Sequence, residues 1–310
     1  MNILITGGTG FIGRHLVEEL SKSKDNKIYC IVRNLDRAKI LKPYNVELIY
    51  ADITRWDTME KIINYNIDVI FHCAGCVQNK NYSLLEKNNV LGTKNICELA
   101  LSMEVNKLVY LSSVAVISGN DEIPLCEDLP HKATNIYGKS KIKAEQEVLG
   151  YREKGLKTVI IRPCMVYGEG EPHLTKTLLL LLKFRMLPLI NEGHNKFHLV
   201  YVKNVVDLII YSLSKEEFLK GTFFIADKEV LTTKEVFSIF SEAINTKPPK
   251  NIPKFLNPFV LNFPYVGCKI KSFYKDRVYS IERIKTLGFN HQYNAQSNLK
   301  KSARYFFDKM

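Results

Sequence analysis

Short apolar runs rich in β-branched residues alternate with amphipathic stretches over the first two thirds of the chain. This alternation is typical of parallel strands that helices cover on both faces. The runs predict strands at residues 2–6, 27–32, 46–50, 68–73, 107–112 and 158–162, with helices between them, including helices near 83–103 and 136–154. The pattern therefore predicts an α/β fold with a doubly wound parallel sheet.

The pattern changes after Arg162-Pro163. Residues 163–172 are rich in turn-forming residues, and residues 248–258 contain four prolines in eleven positions, which excludes a continuous helix. Residues 255–273 are apolar, aromatic and basic together. We interpret this segment as the cap of a second domain, and peripheral contact with a membrane or with a hydrophobic substrate is the alternative.

Composition and charge narrow the classes of protein. The 310 residues are 46% hydrophobic and 25% charged with a net charge of +12, which is ordinary for a soluble globular protein. The lysines are dispersed along the chain, so nucleic acid is not an expected partner. The apolar run at residues 178–182 is too short to span a membrane, and the strand-like start lacks the basic region of a signal peptide.

The cysteines predict a reducing compartment. Seven cysteines, an odd number at irregular spacings, are typical of free thiols, so the chain is expected in the cytoplasm. Cys73 and Cys76 form one Cys-x-x-Cys, but neither a second pair nor a histidine cluster accompanies them. No metal site is predicted.

A glycine-rich segment, residues 6–13, follows the first predicted strand and opens the first predicted helix. Gly8, Gly10 and Gly13 match the glycine spacing of dinucleotide-binding turns, and Gly7, Gly10 and Gly13 match a close variant. Glycine permits the tight turn and lets the backbone approach a pyrophosphate. The N–H groups at the start of the helix would then hold the diphosphate of NAD or NADP.

The residue at the end of the second strand predicts which of these cofactors is used. An acidic residue there accepts a hydrogen bond from the 2′-hydroxyl of NAD, whereas a cation suits the 2′-phosphate of NADP. Arg33 occupies this position, and Arg37 lies one turn later. A guanidinium binds phosphate through two parallel hydrogen bonds, so Arg33 favours NADP; a solvated arginine at a strand end is the alternative.

Seven motifs follow one another along nearly the whole chain: TGGTGFIG (6–13), ADIT (51–54), FHCAG (71–75), NVLGT (89–93), YLSSVAV (110–116), YGKSK (137–141) and RPCMVYG (162–168). In this order and spacing they resemble the extended short-chain dehydrogenases/reductases, the NAD(P)-dependent epimerase/dehydratase family. The resemblance implies a Rossmann domain of residues 1–165, with returning segments at about 197–226. It also implies a smaller substrate-binding domain of residues 166–196 and 227–310.

The resemblance assigns the family's general acid/base to Tyr137 and its lysine partner to Lys141. Three further Tyr-x-x-x-Lys matches exist, but only Tyr137/Lys141 follows the fifth predicted strand and its two serines. A phenol with a pKa of about 10 is almost fully protonated at neutral pH. We expect the Lys141 ammonium, one helical turn away, to lower the pKa of Tyr137, with the helix N-terminus and an oxidised nicotinamide ring adding to the effect.

A serine or threonine of the family holds the substrate oxygen near the end of the fifth strand. Counting from the serine pair gives Ser113, with Ser112 as the alternative, whereas counting back from Gly119 would place Val114 there. Asn89 resembles the family's helix asparagine, which supports the hydrogen-bond network of the active site. A polar helix surface is the alternative for Asn89.

The resemblance also implies the remaining contacts with the cofactor. Together with the three glycines, Tyr137 and Lys141, the implied contacts are Phe11 and Ile12 in the turn, Asp52 and Ile53 beside the adenine, Cys73, Ala74 and Gly75 along the cofactor backbone, and Pro163 beside the nicotinamide carboxamide. As an alternative to contacting the adenine, Asp52 could cap the next helix.

The chain departs from the family's pattern between residues 195 and 209. Nucleotide-sugar members often have an arginine that grips the diphosphate five residues before the valine matched by Val202, and Phe197 occupies that place. Lys203-Asn204 also stands where acidic residues are usual. Arg277 is a candidate for the missing cation.

Three functions remain open. We favour an epimerase or dehydratase of a nucleotide sugar, because residues 162–168 and the stretch LPLINEG (187–193) resemble those enzymes. The second is an NADPH-dependent reductase of a hydrophobic carbonyl, similar to dihydroflavonol reductases or 3β-hydroxysteroid dehydrogenases, which Arg33, Phe197 and residues 255–273 support. The third is a non-enzymatic cofactor-binding subunit, against which the intact catalytic set argues. The family's dimers imply a homodimer through the helices near 83–103 and 136–154.

Overall fold

The computed structural model describes residues 1–77, 81–253 and 275–309. The strands are β1 (Asn2–Thr6), β2 (Lys27–Val32), β3 (Val46–Tyr50), β4 (Val69–His72), β5 (Lys107–Leu111), β6 (Thr158–Pro163), β7 (Met165–Tyr167), β8 (Lys196–Phe197), β9 (Leu199–Tyr201), β10 (Thr222–Ile225) and β11 (Leu231–Thr232). The helices are α1 (Phe11–Leu20), α2 (Leu35–Ala38), α3 (Tyr82–Leu85), α4 (Gly92–Ser102), α5 (Ile136–Glu153), α6 (Thr175–Lys183), α7 (Val202–Tyr211), α8 (Thr233–Ala243), α9 (Glu282–Thr286) and α10 (Ala295–Phe307).

Seven of these strands form one parallel sheet in the order β10-β6-β5-β4-β1-β2-β3. All six predicted strands are present, and the predicted Rossmann-type fold is confirmed. The seventh strand, β10, was not predicted; it lies after the region of regular alternation and forms by pairing with β6. Strand order reverses between β1 and β4, and in open parallel sheets the crevice at such a reversal is where ligands bind.

Helices cover both faces of the sheet because neighbouring side chains of each strand point to opposite sides. Ile3 and Ile5 of β1 enter a core that contains Leu16 of α1 and Val206 of α7. Leu4 enters the opposite core with residues of α4 and α5. Every residue of β6 is buried, as expected for a strand inside a doubly covered sheet.

A third apolar core lies outside the sheet, where Leu179 of α6, Phe237 of α8 and Leu299 of α10 pack together. It draws on the segments assigned above to the substrate-binding domain, whose boundaries stay a prediction. Residues 255–273, interpreted above as a cap, lie outside the described residues. Within the described ranges no helix is long and apolar enough to cross a membrane.

The predicted helix near 83–103 contains a local widening. A π-helical turn, Glu86–Leu91, connects α3 to α4. Gly92 follows it, and a Cβ built there would lie 2.8 Å from Cδ1 of Ile53. The glycine therefore lets the helix pack closely against the loop after β3, and π-turns of this kind are frequent at functional sites.

Asp207 of α7 is a poorly accommodated carboxylate. Its Oδ2 atom is buried and has no hydrogen-bond partner in the part of the chain that the structure describes. Burial, followed by the neighbouring charge of Glu19 on α1, raises the pKa of Asp207 to about 6. At neutral pH, folding therefore buries a charge that nothing in its immediate surroundings fully compensates.

Asp207→Asn should raise the melting temperature by about 2 °C at pH 8 and leave it unchanged at pH 4. The sign follows from linkage: the pKa is higher in the folded protein than in the unfolded chain, so the cost of the charge is present above about pH 6 and absent below about pH 4. Thermal unfolding at both pH values measures this. Asp36→Asn, at an exposed carboxylate paired with Lys39, is the control, and an equal gain from Asp207→Asn at both pH values would contradict the assignment.

Candidate active site

The turn between β1 and α1 requires glycine at two positions. Gly7 has a φ of +74°, and a Cβ there would lie 2.6 Å from the Ala74 nitrogen. A Cβ at Gly13 would overlap the carbonyl oxygen of Gly7. The Gly10 N–H donates to that same oxygen at 2.8 Å. The structure thus uses the spacing Gly7, Gly10, Gly13, because a Cβ at Gly8 would meet only side-chain atoms, the nearest being the Cys30 sulfur at 3.2 Å.

The start of α1 fits a dinucleotide phosphate. Gly10 is the N-cap residue, and no side chain within the described ranges caps the helix, so the N–H groups of the first turn, which begins with Phe11 and Ile12, are available to an anion. The positive end of the helix dipole points to the same place. With no Cβ at Gly7 or Gly13, the backbone forms a cradle that a pyrophosphate can approach.

Arg33 lies at the end of β2, as predicted, and is exposed. Its Nη1 donates to Oδ1 of Asn88 in the π-helical turn at 3.0 Å. The Asn88 amide is fixed in turn, because its Nδ2 donates to the Leu84 carbonyl. The guanidinium is therefore positioned at the edge of the crevice by a neutral partner, and no carboxylate among the described residues forms an ion pair with it.

Asp52 and Ile53 follow β3, at the same edge of the sheet. The Asp52 carboxylate accepts a hydrogen bond from the Thr54 N–H at 2.9 Å and so closes the local turn. It does not cap the next helical turn, Trp56–Thr58, whose N-cap is Arg55, so the capping alternative is wrong. The Ile53 carbonyl accepts from Asn95 of α4 at 2.8 Å, which fixes the loop against the helix.

The loop after β4 is held by two polar side chains. Thr6 Oγ1 accepts from the Ala74 N–H and lies 2.6 Å from Nδ1 of His72. Asn89 donates to the Cys76 carbonyl and accepts from the Cys76 N–H at 2.7 Å. These contacts place Cys73, Ala74 and Gly75 beside the glycine turn, since Ala74 faces Gly7 directly.

Asn89 also links this loop to α5. Its Nδ2 donates to Ser140 Oγ at 2.9 Å, and Ser140 Oγ donates to the Tyr137 carbonyl. Asn89 is only 1% exposed, so its interpretation as a polar surface residue is wrong. The π-helical turn brings the amide inward to these partners.

Tyr137 and Ser113 meet at the end of the sheet. Their side chains are hydrogen bonded to each other. Asn135 caps α5 by accepting from the Gly138 N–H, and a Cβ at Gly138 would lie 2.5 Å from the Ala115 carbonyl oxygen. The absence of that Cβ lets the first turn of α5 pack against the short turn after Ser113.

The structure separates the two serines. Ser112 is buried, and its hydroxyl donates to Oε1 of Glu145 at 2.5 Å, away from Tyr137. Val114, the result of the alternative count, is buried and carries no hydroxyl. Ser113 is therefore the member of this segment that can share a substrate oxygen with Tyr137.

Lys141 lies one turn after Tyr137, with its ammonium directed into the protein. Its Nζ donates to the Tyr110 hydroxyl and to the Leu111 carbonyl, each at 2.8 Å. Burial lowers the pKa of Lys141 to about 8, and the charge of Glu145 opposes this shift. A Cβ at Gly75 would lie 3.8 Å from Nζ, so the ammonium borders the loop predicted to follow the cofactor.

The expected lowering of the pKa of Tyr137 is not observed. Burial raises the pKa of Tyr137 to about 12, although the hydrogen bond from Ser113 acts in the opposite direction. The Lys141 ammonium donates to Tyr110 and Leu111, and the groups that shift the pKa of Tyr137 are Ser113 and Cys76. In this arrangement the phenol is protonated at neutral pH.

Sequence reasoning missed three supporting residues. Tyr110 holds Lys141 by its hydroxyl and lies under the ammonium with its ring, at 4.5 Å. Burial, followed by the charge of Lys141, lowers the pKa of His72 to about 3, so His72 is a neutral link between Thr6 and Thr93. Glu145, four residues after Lys141, is the third. Its helical spacing from Lys141 was the available signal.

Pro163 ends β6 at the same edge of the sheet, beside Ile225 of β10. The next residue, Cys164, donates its N–H to the Ile225 carbonyl. The predicted contacts outside the helices therefore follow the carboxyl ends of β1 to β6 around the crevice. Proline at the end of β6 leaves no N–H there to be satisfied.

Phe197 and Arg277 lie near each other. Phe197 is 4% exposed and packs in the third core, so the place of the expected arginine is apolar. The Arg277 backbone runs beside it, and the Arg277 guanidinium donates to the carbonyls of Ser118, at 2.7 Å, and Asn120, at 3.2 Å. Arg277 thus connects its segment to the loop that follows Ser113.

The other Tyr-x-x-x-Lys matches have different surroundings. Tyr211 and Lys215 both donate to the Leu287 carbonyl. Lys309 lies over the Tyr305 ring, 3.8 Å from its centroid, and Tyr265/Lys269 lies outside the described residues. Within the described ranges, Tyr137/Lys141 is the match that lies beside Ser113 and the glycine turn.

Comparison with known proteins agrees with this geometry. The family model for the NAD dependent epimerase/dehydratase family matches residues 3–226. The UDP-glucose 4-epimerase of Vibrio cholerae is 27% identical over 98% of this chain and 95% of its own. The decarboxylating sterol-4-alpha-carboxylate 3-dehydrogenase of Bos taurus is 31% identical over 81% of this chain and 72% of its own.

Solved structures share the fold. The UDP-glucuronic acid 4-epimerase from Bacillus cereus, in complex with NAD, superposes with a TM-score of 0.82 at 20% identity, covering 100% of this chain and 99% of the other. The family model matches well over half of the chain, and the sequence motifs and the fold indicate the same family. The chain is an enzyme of the NAD-dependent epimerase/dehydratase family.

Proposed function

We propose that this enzyme transfers a hydride between a nicotinamide cofactor and a secondary alcohol or carbonyl, with Tyr137 as the general acid/base. The observation that carries the proposal is the hydrogen bond between Ser113 and Tyr137, one helical turn from the buried ammonium of Lys141. A hydroxyl and a phenol that share one bond can both be directed at a substrate oxygen.

The protein's residues have separate tasks in this proposal. Ser113 holds the substrate oxygen, and Tyr137 donates a proton to it or removes one from it. Lys141 supplies positive charge beneath the site, and Asn89 fixes the π-helical turn, the loop at Cys76 and α5 relative to one another. When bound, the nicotinamide ring would accept or return the hydride at C4 and, when oxidised, add a positive charge.

A nucleotide sugar is the proposed substrate class. The Vibrio cholerae relative named as a UDP-glucose 4-epimerase matches this chain almost end to end. The LPLINEG stretch supports the same class. In an epimerase or dehydratase cycle the hydride returns to the substrate, so the nicotinamide shows no net change.

One observation favours a second candidate, oxidation or reduction of a hydrophobic substrate. Phe197 fills an apolar core where nucleotide-sugar enzymes often carry an arginine. The Bos taurus relative is named as a dehydrogenase of a sterol carboxylate. Such a substrate has no diphosphate and would not need the arginine that grips one.

Product analysis distinguishes the two candidates. The protein is incubated with cofactor and either UDP-glucose and UDP-galactose or a 3-hydroxysteroid and its ketone, and products are separated by chromatography. Conversion of a UDP-sugar without net change in nicotinamide absorbance supports the first candidate. A net change in absorbance that depends on the steroid supports the second. Failure of both substrate sets would count against these two substrate classes.

Arg33→Ala should weaken NADPH binding about tenfold and leave NADH binding within about twofold, because a charge-assisted hydrogen bond to the 2′-phosphate contributes about 1.5–3 kcal/mol. Fluorescence titration of both reduced cofactors measures the effect. Arg55→Ala, at an exposed arginine paired with Asp57, is the matched control. An equal loss for both cofactors, or no loss, would contradict a preference for NADP set by Arg33.

We also propose a cytoplasmic homodimer that assembles through the helices near 83–103 and 136–154. The six cysteines in the described ranges are all free, which supports a reducing compartment. Exposed Leu84 and Leu91 lie on the first of these helices and offer apolar contacts for a partner. Light scattering of the purified protein tests the assembly.

A further inference from the structure

A buried charge cluster lies directly beneath the site. The Glu145 side chain is 0% exposed and accepts hydrogen bonds from Ser112 at 2.5 Å and from Arg162, whose Nε and Nη2 lie 2.9 and 2.6 Å away. His131 Nε2 lies 3.1 Å from the same carboxylate. Burial opposes ionisation, but the hydrogen bonds from Arg162 and His131 lower the pKa of Glu145 to about 2. The carboxylate is therefore charged at any working pH.

Two partners of Glu145, Ser112 and Arg162, are each followed directly by a residue of the proposed site. Ser112 precedes Ser113 at the end of β5, and Arg162 precedes Pro163 at the end of β6. Glu145 itself lies one helical turn after Lys141 on α5. A single carboxylate thus joins the three elements that carry the acid/base, the oxygen-holding hydroxyl and the predicted nicotinamide contact.

Four titratable groups surround the Lys141 ammonium, and they lie on β4, the loop after it, β5 and α5. Tyr110 of β5 has its pKa raised well above the ordinary value, chiefly by burial, and is neutral. His72, with a pKa of about 3, and Cys73, whose pKa burial raises to about 12, are also neutral at pH 7. Of the described groups that influence Lys141, Glu145 is the one that is negative at neutral pH.

We infer that Glu145 is a positioning residue of the proposed reaction: its carboxylate fixes Ser112 and Arg162 against α5 and serves as the counter-charge that keeps the buried Lys141 ammonium protonated. The inference rests on the proposed function for its catalytic meaning. The charge coupling itself is a property of the folded protein that can be measured without any substrate.

The test is a pH titration of lysine Cε signals by NMR in protein labelled with ¹³C at that atom. Lys141→Arg identifies the Lys141 signal by removing it. In Glu145→Gln the midpoint for Lys141 should fall by about one pH unit or more, because the opposite charge is lost while burial remains. A general loosening of the site would admit water and move the midpoint upward, toward the ordinary value of about 10.4. An unchanged or higher midpoint overturns the inference.

Glu127→Gln is the matched control. Glu127 is also a buried glutamate near Arg162, but its carboxylate accepts from the Phe224 N–H, and Arg162 contacts only its backbone carbonyl. The Lys141 midpoint should stay unchanged in this variant. An equal fall in Glu127→Gln would show that loss of any nearby buried carboxylate suffices, and would overturn the specific role of Glu145.

A second variant covers the case in which Glu145→Gln does not fold, since removing one partner of a buried ion pair costs about 3–5 kcal/mol. The double variant Glu145→Gln with Arg162→Met leaves no unpaired charge, and such replacements are often tolerated. A smaller fall of the Lys141 midpoint is expected there, because the positive charge of Arg162 is removed together with the negative charge of Glu145. An unchanged or higher midpoint overturns the inference. A fall of the midpoint in a protein that shows no turnover would leave the charge coupling intact and count against the proposed function alone.

Discussion

Tyr137→Phe should lower turnover by about 10³-fold, which is within the range that general acid–base catalysis contributes. Binding of the nicotinamide cofactor should be unchanged. Removal of the hydroxyl deletes the group that exchanges a proton with the substrate oxygen, while the ring that packs at the start of α5 remains. The glycine turn that would hold the diphosphate is untouched. Measurement of kcat together with the cofactor dissociation constant tests both parts of this expectation.

Tyr305→Phe is the matched control for this variant. It makes the same chemical change in another Tyr-x-x-x-Lys match, where the lysine lies over the ring. Activity should stay within about twofold of the wild type. If Tyr137→Phe retained wild-type turnover, Tyr137 could not be the acid/base, and the catalytic assignment would fail.

Gly13→Ala should reduce cofactor binding by about 100-fold or more. The added methyl group would overlap the Gly7 carbonyl oxygen, so the turn must open or α1 must move away from β1. Either movement displaces the N–H groups that would hold the diphosphate. Overpacking of this kind also costs about 1–3 kcal/mol of stability. Cofactor titration and thermal unfolding measure the two effects separately.

Gly150→Ala provides the comparison within the same chain. Gly150 lies in α5, and a Cβ built there would meet no atom of another segment within 4 Å in the described part of the chain. Alanine is favoured over glycine in a helix by about 1 kcal/mol, so this variant should be slightly more stable and bind cofactor normally. If Gly13→Ala bound cofactor as well as Gly150→Ala, the glycine turn would not be the phosphate site.

The sheet was largely predictable because its strands are buried on both faces and form continuous apolar runs. The π-helical turn was not predictable, because it depends on the amide of Asn89 meeting the backbone of Cys76 from another part of the chain. The short strand β10 depends in the same way on pairing with β6.

The site was predictable in its position but not in its electrostatics. Helical spacing brought Tyr137 and Lys141 to one face, yet it could not show that the ammonium donates to Tyr110 and Leu111. Adjacent serines on a strand point to opposite sides, but only the tertiary structure shows that Ser112 meets Glu145 and Ser113 meets Tyr137. These are contacts between distant segments, which local patterns do not encode.

The most direct test of the central claim is to purify the protein without added nucleotide, denature it, and identify what it releases. Any protein found empty is then titrated with NAD and NADPH. The account predicts one nicotinamide dinucleotide per chain, either retained or bound on titration. Retained NAD would support a closed epimerase or dehydratase cycle, and preferential binding of NADPH would support net reduction. Neither retention nor binding of any nicotinamide nucleotide would contradict the account.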